Sequence, residues 1–160
     1  MAIYMDFEGI KGSVTEGGKK GLIPLATMAW GCTRAVDMKV GEVKNRSTNQ
    51  PAFNQLSITK AVDESSTLLF QSCVTNTTGK KVLLYFMEQA GSGQEIWYEY
   101  ELQGAFISAY YINGASQGKP NEAIEISYTY IKMKFIPTDP DHKGEAPVPA
   151  GYDLKVAAKV

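Results

Sequence analysis

Alternating apolar and polar positions dominate the second half of the chain. Apolar or aromatic residues occupy the even positions from Ile96 to Leu102, and the same period of two recurs from Ala123 to Tyr130. This period is typical of a strand with one buried face. Further strands are predicted at 2–8, 22–36, 54–61, 81–88, 105–112 and 152–160, so the pattern predicts about eight strands.

Three of these predicted strands carry additional information. The pair Trp30-Gly31 lies inside the second strand, where a glycine typically marks a bulge or bend. In the strand at 123–136 the apolar phase changes after Tyr130, which predicts a bulge or a strand that leaves one surface and joins another. All six residues of Val82–Met87 are apolar or aromatic. Both faces of that strand are therefore predicted to be covered, one by the core and one by a second subunit.

One short helix interrupts the strands. Asp63 or Ser65 is predicted to cap its first turn, and the segment 76–79 is predicted to end it. Because so short a helix is unstable alone in water, we expect it to pack on the sheet. Its apolar side is predicted to comprise Leu68, Leu69, Phe70 and Cys73. These elements predict a mainly-β fold, a small antiparallel β-barrel with one short α-helix, as a single domain over residues 1–160.

Composition and charge narrow the class of protein. The 160 residues include 16 Lys and Arg against 17 Asp and Glu, so no basic stripe favours nucleic acid as the main partner. Cys32 and Cys73 lack metal-ligand spacing, and two buried thiols in a reducing compartment are favoured over a disulfide between them. The N-terminal sequence does not resemble a Sec signal peptide, and no apolar run approaches the ~20 residues of a membrane span. We therefore expect a cytoplasmic protein without membrane insertion, exported, if at all, without a Sec signal peptide.

Candidate catalytic groups are few. His142, the only histidine, lies among turn-forming residues, so neither a zinc site nor a nucleophilic triad is predicted. Glu95, Glu99 and Glu101 share one strand face and are better explained as solvated positions than as glycosidase carboxylates. The glycine-rich segment 17–21 lacks the spacing of a phosphate-binding loop. The sequence therefore predicts no enzyme, no cofactor and no metal.

Aromatic residues and one long connection offer binding surface instead. The tyrosines at 98, 100, 110, 111, 128 and 130 are predicted to pack in the core rather than to form a stacking platform for sugars or bases. Trp97, on the outward phase, is a candidate interface anchor. The segment 38–53 has little periodicity and is longer than most connections in compact domains. It is predicted to be either a surface excursion or a loop that reaches a neighbouring molecule.

The order of these elements is similar to that of a known family. The segments Phe7–Ser13, Ala29–Gly31, Leu56–Asp63, Ser65–Cys73 and Ala150–Leu154 resemble Hcp, the haemolysin-coregulated tube protein family of bacterial type VI secretion. The resemblance spans essentially the whole chain, and Leu56–Asp63 leading into the helix is its most specific part.

The resemblance implies an assembly. It implies a β-barrel with one helix that forms a homohexameric ring, and rings that stack into a hollow tube. It also implies a contractile sheath, a spike protein and secreted effectors as partners, with effectors carried in the lumen and export that bypasses the Sec route. Because a ring needs a heterologous interface, one surface of each subunit must meet a different surface of the next.

Residues for two contacts are predicted on this basis. Leu84, Phe86 and Trp97 are the candidate subunit interface. Glu42, Val43, Lys44, Asn45 and Arg46 are the candidate ring-stacking loop. The alternative is a monomeric β-barrel that binds a small apolar molecule in its mouth, which predicts a wide interior lined by small residues.

Overall fold

A computed structural model describes residues 1–36, 40–41, 49–90, 93–137 and 146–160. These residues contain twelve strands and one α-helix. The strands are β1 (Ala2–Phe7), β2 (Ile23–Leu25), β3 (Thr27–Ala29), β4 (Cys32–Thr33), β5 (Ala52–Phe53), β6 (Leu56–Ala61), β7 (Lys80–Ala90), β8 (Gly93–Asn113), β9 (Asn121–Ser127), β10 (Tyr130–Phe135), β11 (Val148–Asp153) and β12 (Ala158–Lys159). The helix, α1, is Ser66–Thr75. The predicted mainly-β fold with one short helix is confirmed.

The antiparallel pairings form a closed circuit. β1 pairs with β2 and β7, β7 pairs with β8, β8 with β9, β9 with β6, and β6 with β3. Only Ala26 separates β2 from β3, and its N–H donates to the Thr59 carbonyl at 2.7 Å. Taken as two halves of one strand, β2 and β3 close the circuit into the barrel, which we call the closed barrel.

A second layer of strands extends the sheet beyond this barrel. The N-terminal half of β8 pairs with β7 on one side and with β10 on the other, and β11 and β12 follow β10. We call β10–β12, with the paired half of β8, the flanking sheet. Gly104, with φ of +60°, lies between the two halves of β8, because the strand pairs with β10 up to Gln103 and with β9 from Phe106 onward. One 21-residue strand thus serves both regions, where the sequence predicted two separate strands.

The predicted phase change after Tyr130 marks a real transfer between regions. β9 belongs to the closed barrel, and the chain then enters β10 in the flanking sheet. Ile124 and Ile126 are buried in β9, and Ile131 is buried in β10. The change from even to odd positions follows because the chain leaves one surface and joins another, as predicted.

The predicted second strand, 22–36, is broken in the structure into β2, β3 and β4. The last break falls at Trp30-Gly31, the predicted bend. β4 pairs with β5 in a separate two-stranded ribbon, so Cys32 lies opposite Phe53. This ribbon holds together the two ends of the long connection between residues 34 and 51.

Apolar side chains, all of them aliphatic except Phe7, fill the interior of the closed barrel. They are between 0% and 4% exposed, and they comprise Met5, Phe7, Ile23, Leu56, Ile58, Val82, Leu84, Leu102, Ile107, Ile124 and Ile126. Burial of this apolar surface is the main stabilising contribution, at roughly 25 cal/mol per Å². A filled interior disagrees with the wide, small-residue interior that the monomeric ligand-binding alternative predicts.

The helix packs against β8 with only part of its predicted apolar side. Leu69 is fully buried and Cys73 packs on the core. Leu68 and Phe70 are 43% and 52% exposed, so their predicted burial is wrong. Leu69 points at the sheet, and a helical turn of 100° per residue carries both of its neighbours away from it. Phe70 instead rests on the Tyr110 ring, with centroids 5.8 Å apart.

A buried ionic group anchors the start of the helix. Lys60 of β6 is fully buried, and its Nζ lies 2.8 Å from both Glu122 Oε2 and Asp63 Oδ1. The Tyr110 hydroxyl donates to the other Glu122 oxygen at 2.6 Å, and Lys60 Nζ also donates to Ser66 Oγ at 3.2 Å. The group therefore links β6, β8, β9 and the first turn of α1.

Asp63 receives several donors within this group. Its carboxylate accepts hydrogen bonds from the Ser65 N–H at 2.9 Å and from the Ser13 hydroxyl at 3.1 Å. Burial alone would raise the pKa of Asp63, but the hydrogen bonds from Lys60 and Ser65, with the Lys60 charge, hold that pKa below its ordinary value. Asp63 therefore binds the backbone N–H of Ser65, the N-cap residue, and the Ser65 side chain makes no capping hydrogen bond, so the predicted side-chain cap of the first-turn amides is wrong.

Candidate assembly surface

The predicted interface residues lie in different environments. Leu84 is fully buried, because it shares the inward phase of β7 with Val82. A fully buried side chain offers no surface to a neighbour, so the choice of Leu84 as an interface residue is corrected. Phe86 and Trp97 are half-buried. The predicted stacking residues Glu42–Arg46 lie outside the described residues, as does His142.

Phe86 and Trp97 belong to a continuous series of aromatic rings, which we call the aromatic band. Successive centroids lie between 5.0 and 6.4 Å apart, within the range of favourable aromatic pairs. Seven of the rings are half-buried, and Phe135 is 42% exposed. The band comprises Trp30, Phe53, Phe86, Trp97, Tyr98, Tyr100, Phe135 and Tyr152.

One end of the band lies at the β4–β5 ribbon. Phe53 of the ribbon contacts both Trp30, at 6.4 Å, and Tyr152 of β11, at 5.0 Å. Trp30 Nε1 donates to the Tyr128 hydroxyl, which donates in turn to the Asn54 carbonyl at 2.8 Å. These contacts fix the base of the 34–51 connection to the flanking sheet.

The other end of the band lies at a bulge. The pairing of β7 with β8 shifts register between Phe86 and Met87, which leaves Trp97 as the extra residue on β8. The Trp97 ring contacts Phe86 and Phe135 at 6.3 and 6.4 Å. Its Nε1 is buried without a hydrogen-bond partner among the described residues. The bulge therefore turns a residue with an outward phase toward the aromatic rings.

The two faces of the flanking sheet differ in electrostatics. On the band side, burial and the neighbouring Tyr98 hydroxyl raise the pKa of Tyr100 above its ordinary value, so the Tyr100 hydroxyl stays uncharged at neutral pH. On the other side, Lys81 and Lys134 pair with Glu101 and Glu99, each at 3.2 Å. Burial raises the pKa of Glu101, but hydrogen bonds from Gln103 and Lys81 outweigh it and lower that pKa overall. The flanking sheet thus presents an apolar aromatic face and a charge-paired face.

The sequence prediction that the tyrosines pack in the core holds for only part of the set. Tyr128 is buried, whereas Tyr98 and Tyr100 are half-buried in the aromatic band and Tyr111 is 58% exposed. Trp30, Phe53 and Tyr152 were missed as members of the band. They come from three distant segments, and periodicity within one strand carries no signal of that meeting.

Other chemistry is limited in the described part of the chain. No three His, Cys, Asp or Glu side chains there lie close enough to hold a metal ion. Within the same residues no helix is both long and apolar enough to cross a membrane. Cys32 is exposed and Cys73 half-buried, and both are free thiols. The aromatic band is therefore the feature best suited to a binding function.

Comparison with known proteins agrees with this architecture. A solved structure described as a type six secretion system protein gives a TM-score of 0.90 at 24% identity, covering 99% of each chain. Hcp1 from Salmonella typhimurium gives 0.79 at 17% identity, covering 99% of this chain and 98% of that one. A type VI secretion system effector from Yersinia pestis gives 0.73 at 14% identity, covering 94% and 98%. These likenesses establish the fold.

Family membership comes from the sequence. A comparison with curated protein sequences finds no match. The family model described as "Type VI secretion system effector, Hcp" matches residues 4–135, from β1 to the end of β10. That span includes α1 and all of the closed barrel except the first two residues of β1. The chain therefore belongs to the Hcp family, the secreted tube proteins of the type VI secretion system.

Proposed function

We propose that this Hcp-family protein forms a closed six-membered ring in which the aromatic band of one protomer packs against a different surface of the next. The single observation that carries the proposal is the band itself. Aromatic residues are enriched at the centres of protein interfaces, and contiguous exposed apolar surface is rare on monomers. Because the two contacting surfaces differ, the contact repeats around an axis until the ring closes.

The experiment that tests this contact is light scattering coupled to size-exclusion chromatography. At micromolar concentration the wild-type chain should have the mass of six protomers. Trp97→Ala and Phe135→Ala should shift the mass toward the monomer, because each removes an aromatic side chain that the neighbour would cover. Circular dichroism should show that both variants fold.

Tyr111→Ala is the matched control. Tyr111 is exposed like Phe135 but lies outside the aromatic band. Its removal should leave the hexamer intact. A monomeric wild-type chain, or equal disruption by all three substitutions, would refute the proposed role of the band.

Stacking of rings into a tube is proposed for the connection between β4 and β5, which includes Glu42–Arg46. Support comes from its base, because the β4–β5 ribbon and Phe53 tie both ends of the connection to the aromatic band. Deletion of residues 44–50 should leave rings but abolish secretion. Replacing them with an equal number of Gly and Ser residues tests whether side chains or length matter. Normal secretion by the deletion strain would show that the assignment is wrong.

The remaining partners are proposed on the basis of family membership. We propose that the chain resides in the cytoplasm before firing, inside a contractile sheath and beneath a spike protein, and that effectors travel in the lumen. The single-domain organisation over residues 1–160 likewise stays a prediction. Immunoblots of culture supernatants should show the chain only when the type VI apparatus is intact, with an unprocessed N-terminus by mass spectrometry.

A further inference from the structure

Exposed apolar side chains collect beside the helix, away from the aromatic band. Phe70 and Val74 lie one turn apart on α1 and are 52% and 63% exposed. Ile112, near the end of β8, is 56% exposed and points to the same side of its strand as Tyr110, whereas Tyr111 points to the other side. The Phe70 ring rests on the Tyr110 ring, so Tyr110 joins this flank of the helix to the strand. We call Phe70, Val74, Tyr110 and Ile112 the helix patch.

The helix patch lies where two uncharged stretches of the sequence meet. Charged residues make up 21% of the chain, yet none occurs in 65–79 or in 102–118. The first stretch contains all of α1, and the second contains the C-terminal half of β8, on which α1 packs. A surface helix ordinarily carries charged side chains on its water-facing side. A half-exposed helix without any charge is therefore better suited to be covered by protein than to face water.

The helix patch and the aromatic band do not overlap. The band comes from the β4–β5 ribbon, β7, the N-terminal half of β8, β10 and β11, together with Trp30, whereas the patch comes from α1 and the other end of β8. A closed ring needs two different surfaces that fit each other, while a two-fold dimer needs only one. Both of these surfaces are apolar, and the fully buried centre of an interface is depleted in charge. The patch therefore matches the band in character and differs from it in position.

We propose that the helix patch is the surface on which the aromatic band of the neighbouring protomer packs. The proposal rests on the proposed ring contact and identifies its second surface. Because the patch carries no charge, covering it does not require a charge to be removed from water. The Tyr110 hydroxyl already donates to Glu122 at 2.6 Å, so its hydrogen bond survives when the patch is covered.

The first experiment joins the two surfaces covalently. Val148 is 62% exposed and lies opposite Phe135 in the pairing of β10 with β11, so it borders the band without belonging to it. In a Cys32→Ser, Cys73→Ala background, a chain with both Val74→Cys and Val148→Cys is treated with a short bismaleimide and separated on a denaturing gel. A ladder of covalent products up to six chains is expected, because each contact joins one protomer to the next.

Leu68→Cys combined with Val148→Cys is the matched control. Leu68 lies on the other flank of α1, where it lines a hollow with Phe7 and Ile10, so this chain should cross-link much less. Rings that give no ladder, or equal ladders from both chains, would overturn the role of the helix patch and leave the ring contact of the band intact. Cross-linked dimers from Val148→Cys alone would show that two bands pack on each other and would also overturn it. Absence of rings by light scattering would overturn both proposals.

The second experiment places a charge in the contact. Val74→Glu should raise the protein concentration needed for ring formation at least about tenfold, because the neighbour would have to bury an unpaired carboxylate. Leu68→Glu introduces the same charge on the same helix and also replaces an exposed aliphatic side chain, so it should change that concentration much less. Circular dichroism should show that both variants fold. Equal effects of the two substitutions, or no effect of Val74→Glu, would overturn the assignment of the helix patch.

Discussion

The closed barrel and the flanking sheet share strand β8 but are stabilised in different ways. The inward side chains of the barrel are mostly aliphatic and almost fully buried, and the charges among them, Lys60 and Glu122, are buried and paired. The flanking sheet carries half-buried aromatic rings on one face and partly exposed ion pairs on the other. The barrel interior is sealed, while the flanking sheet keeps aromatic rings that the single chain covers only in part. With the proposed ring contact, the main source of stability and the assembly surface lie in separate regions.

Loss of the barrel's buried cation, Lys60, should give the largest decrease in the free energy of unfolding. Lys60→Ala leaves Glu122 buried without its charge partner and removes a donor from Asp63. Breaking a buried pair in this way costs about 3–5 kcal/mol of unfolding free energy. Urea denaturation followed by circular dichroism measures the loss.

A double variant separates charge burial from packing. Lys60→Met with Glu122→Gln removes both charges and keeps an acceptor for the Tyr110 hydroxyl. It should recover most of the stability that Lys60→Ala loses. If the double variant is no more stable than Lys60→Ala, the unpaired carboxylate is not the cause.

The junction between the two regions should be the next most sensitive position. Gly104 has φ of +60°, and a Cβ there would overlap the Thr129 hydroxyl. Gly104→Ala should lower the free energy of unfolding by about 2–3 kcal/mol, because a methyl group is unfavourable in the left-handed backbone conformation and would overlap Thr129.

Gly93→Ala on the same strand is the matched control for the junction. No atom lies within 4 Å of a Cβ at Gly93, and its backbone is not left-handed. Differential scanning calorimetry should show a lower Tm for Gly104→Ala than for Gly93→Ala. Equal Tm values would mean that β8 does not need its glycine at the bend.

Acid should weaken the barrel through Asp63. The folded state holds the pKa of this carboxyl below its ordinary value of 3.8. The unfolded chain therefore binds the proton more readily, so the stabilisation is present above pH 3.8 and is lost as the pH falls through the folded pKa. The effect should be below about 1 kcal/mol, since the carboxyl is partly solvated.

Asp63→Asn isolates this contribution. Between pH 5 and pH 3 the variant should lose less unfolding free energy than the wild type, as measured by urea denaturation at each pH. Glu101, whose pKa is also lowered, remains in both proteins and cancels in the difference. Parallel pH profiles would exclude Asp63 as a source of acid sensitivity.

Local patterns in the sequence predicted the parts of the fold that depend on neighbouring residues. The phase change after Tyr130 and the glycine at position 31 both mark real departures from a regular strand. Leu68 and Phe70 were misplaced because a short helix on a sheet buries a narrower stripe than its apolar residues suggest. The break between β2 and β3 at Ala26 was not predicted, although Pro24 two residues earlier is a residue that sheets tolerate only at edges, strand starts and bulges.

The aromatic band shows the limit of such patterns. Phe86 and Trp97 were found from one strand pair, whereas Trp30, Phe53 and Tyr152 reach the band only through the pairings of β4 with β5 and of β10 with β11. Leu84 was misassigned because an all-apolar strand does not show which face meets the core. Period two distinguishes the faces of a strand only when one of them is polar.

The smallest change in the free energy of unfolding is expected from the partly exposed ion pair of the flanking sheet. Lys134 and Glu99 lie 3.2 Å apart with side chains 32% and 20% exposed, so water screens their attraction. A double-mutant cycle with Lys134→Ala and Glu99→Ala should give a coupling of about 0.2–1 kcal/mol that shrinks at high salt. A salt-insensitive coupling above about 2 kcal/mol would mean that the flanking sheet desolvates its charges as the barrel does. The contrast between the two regions would then fail, because the flanking sheet, like the barrel, would keep its paired charges away from water.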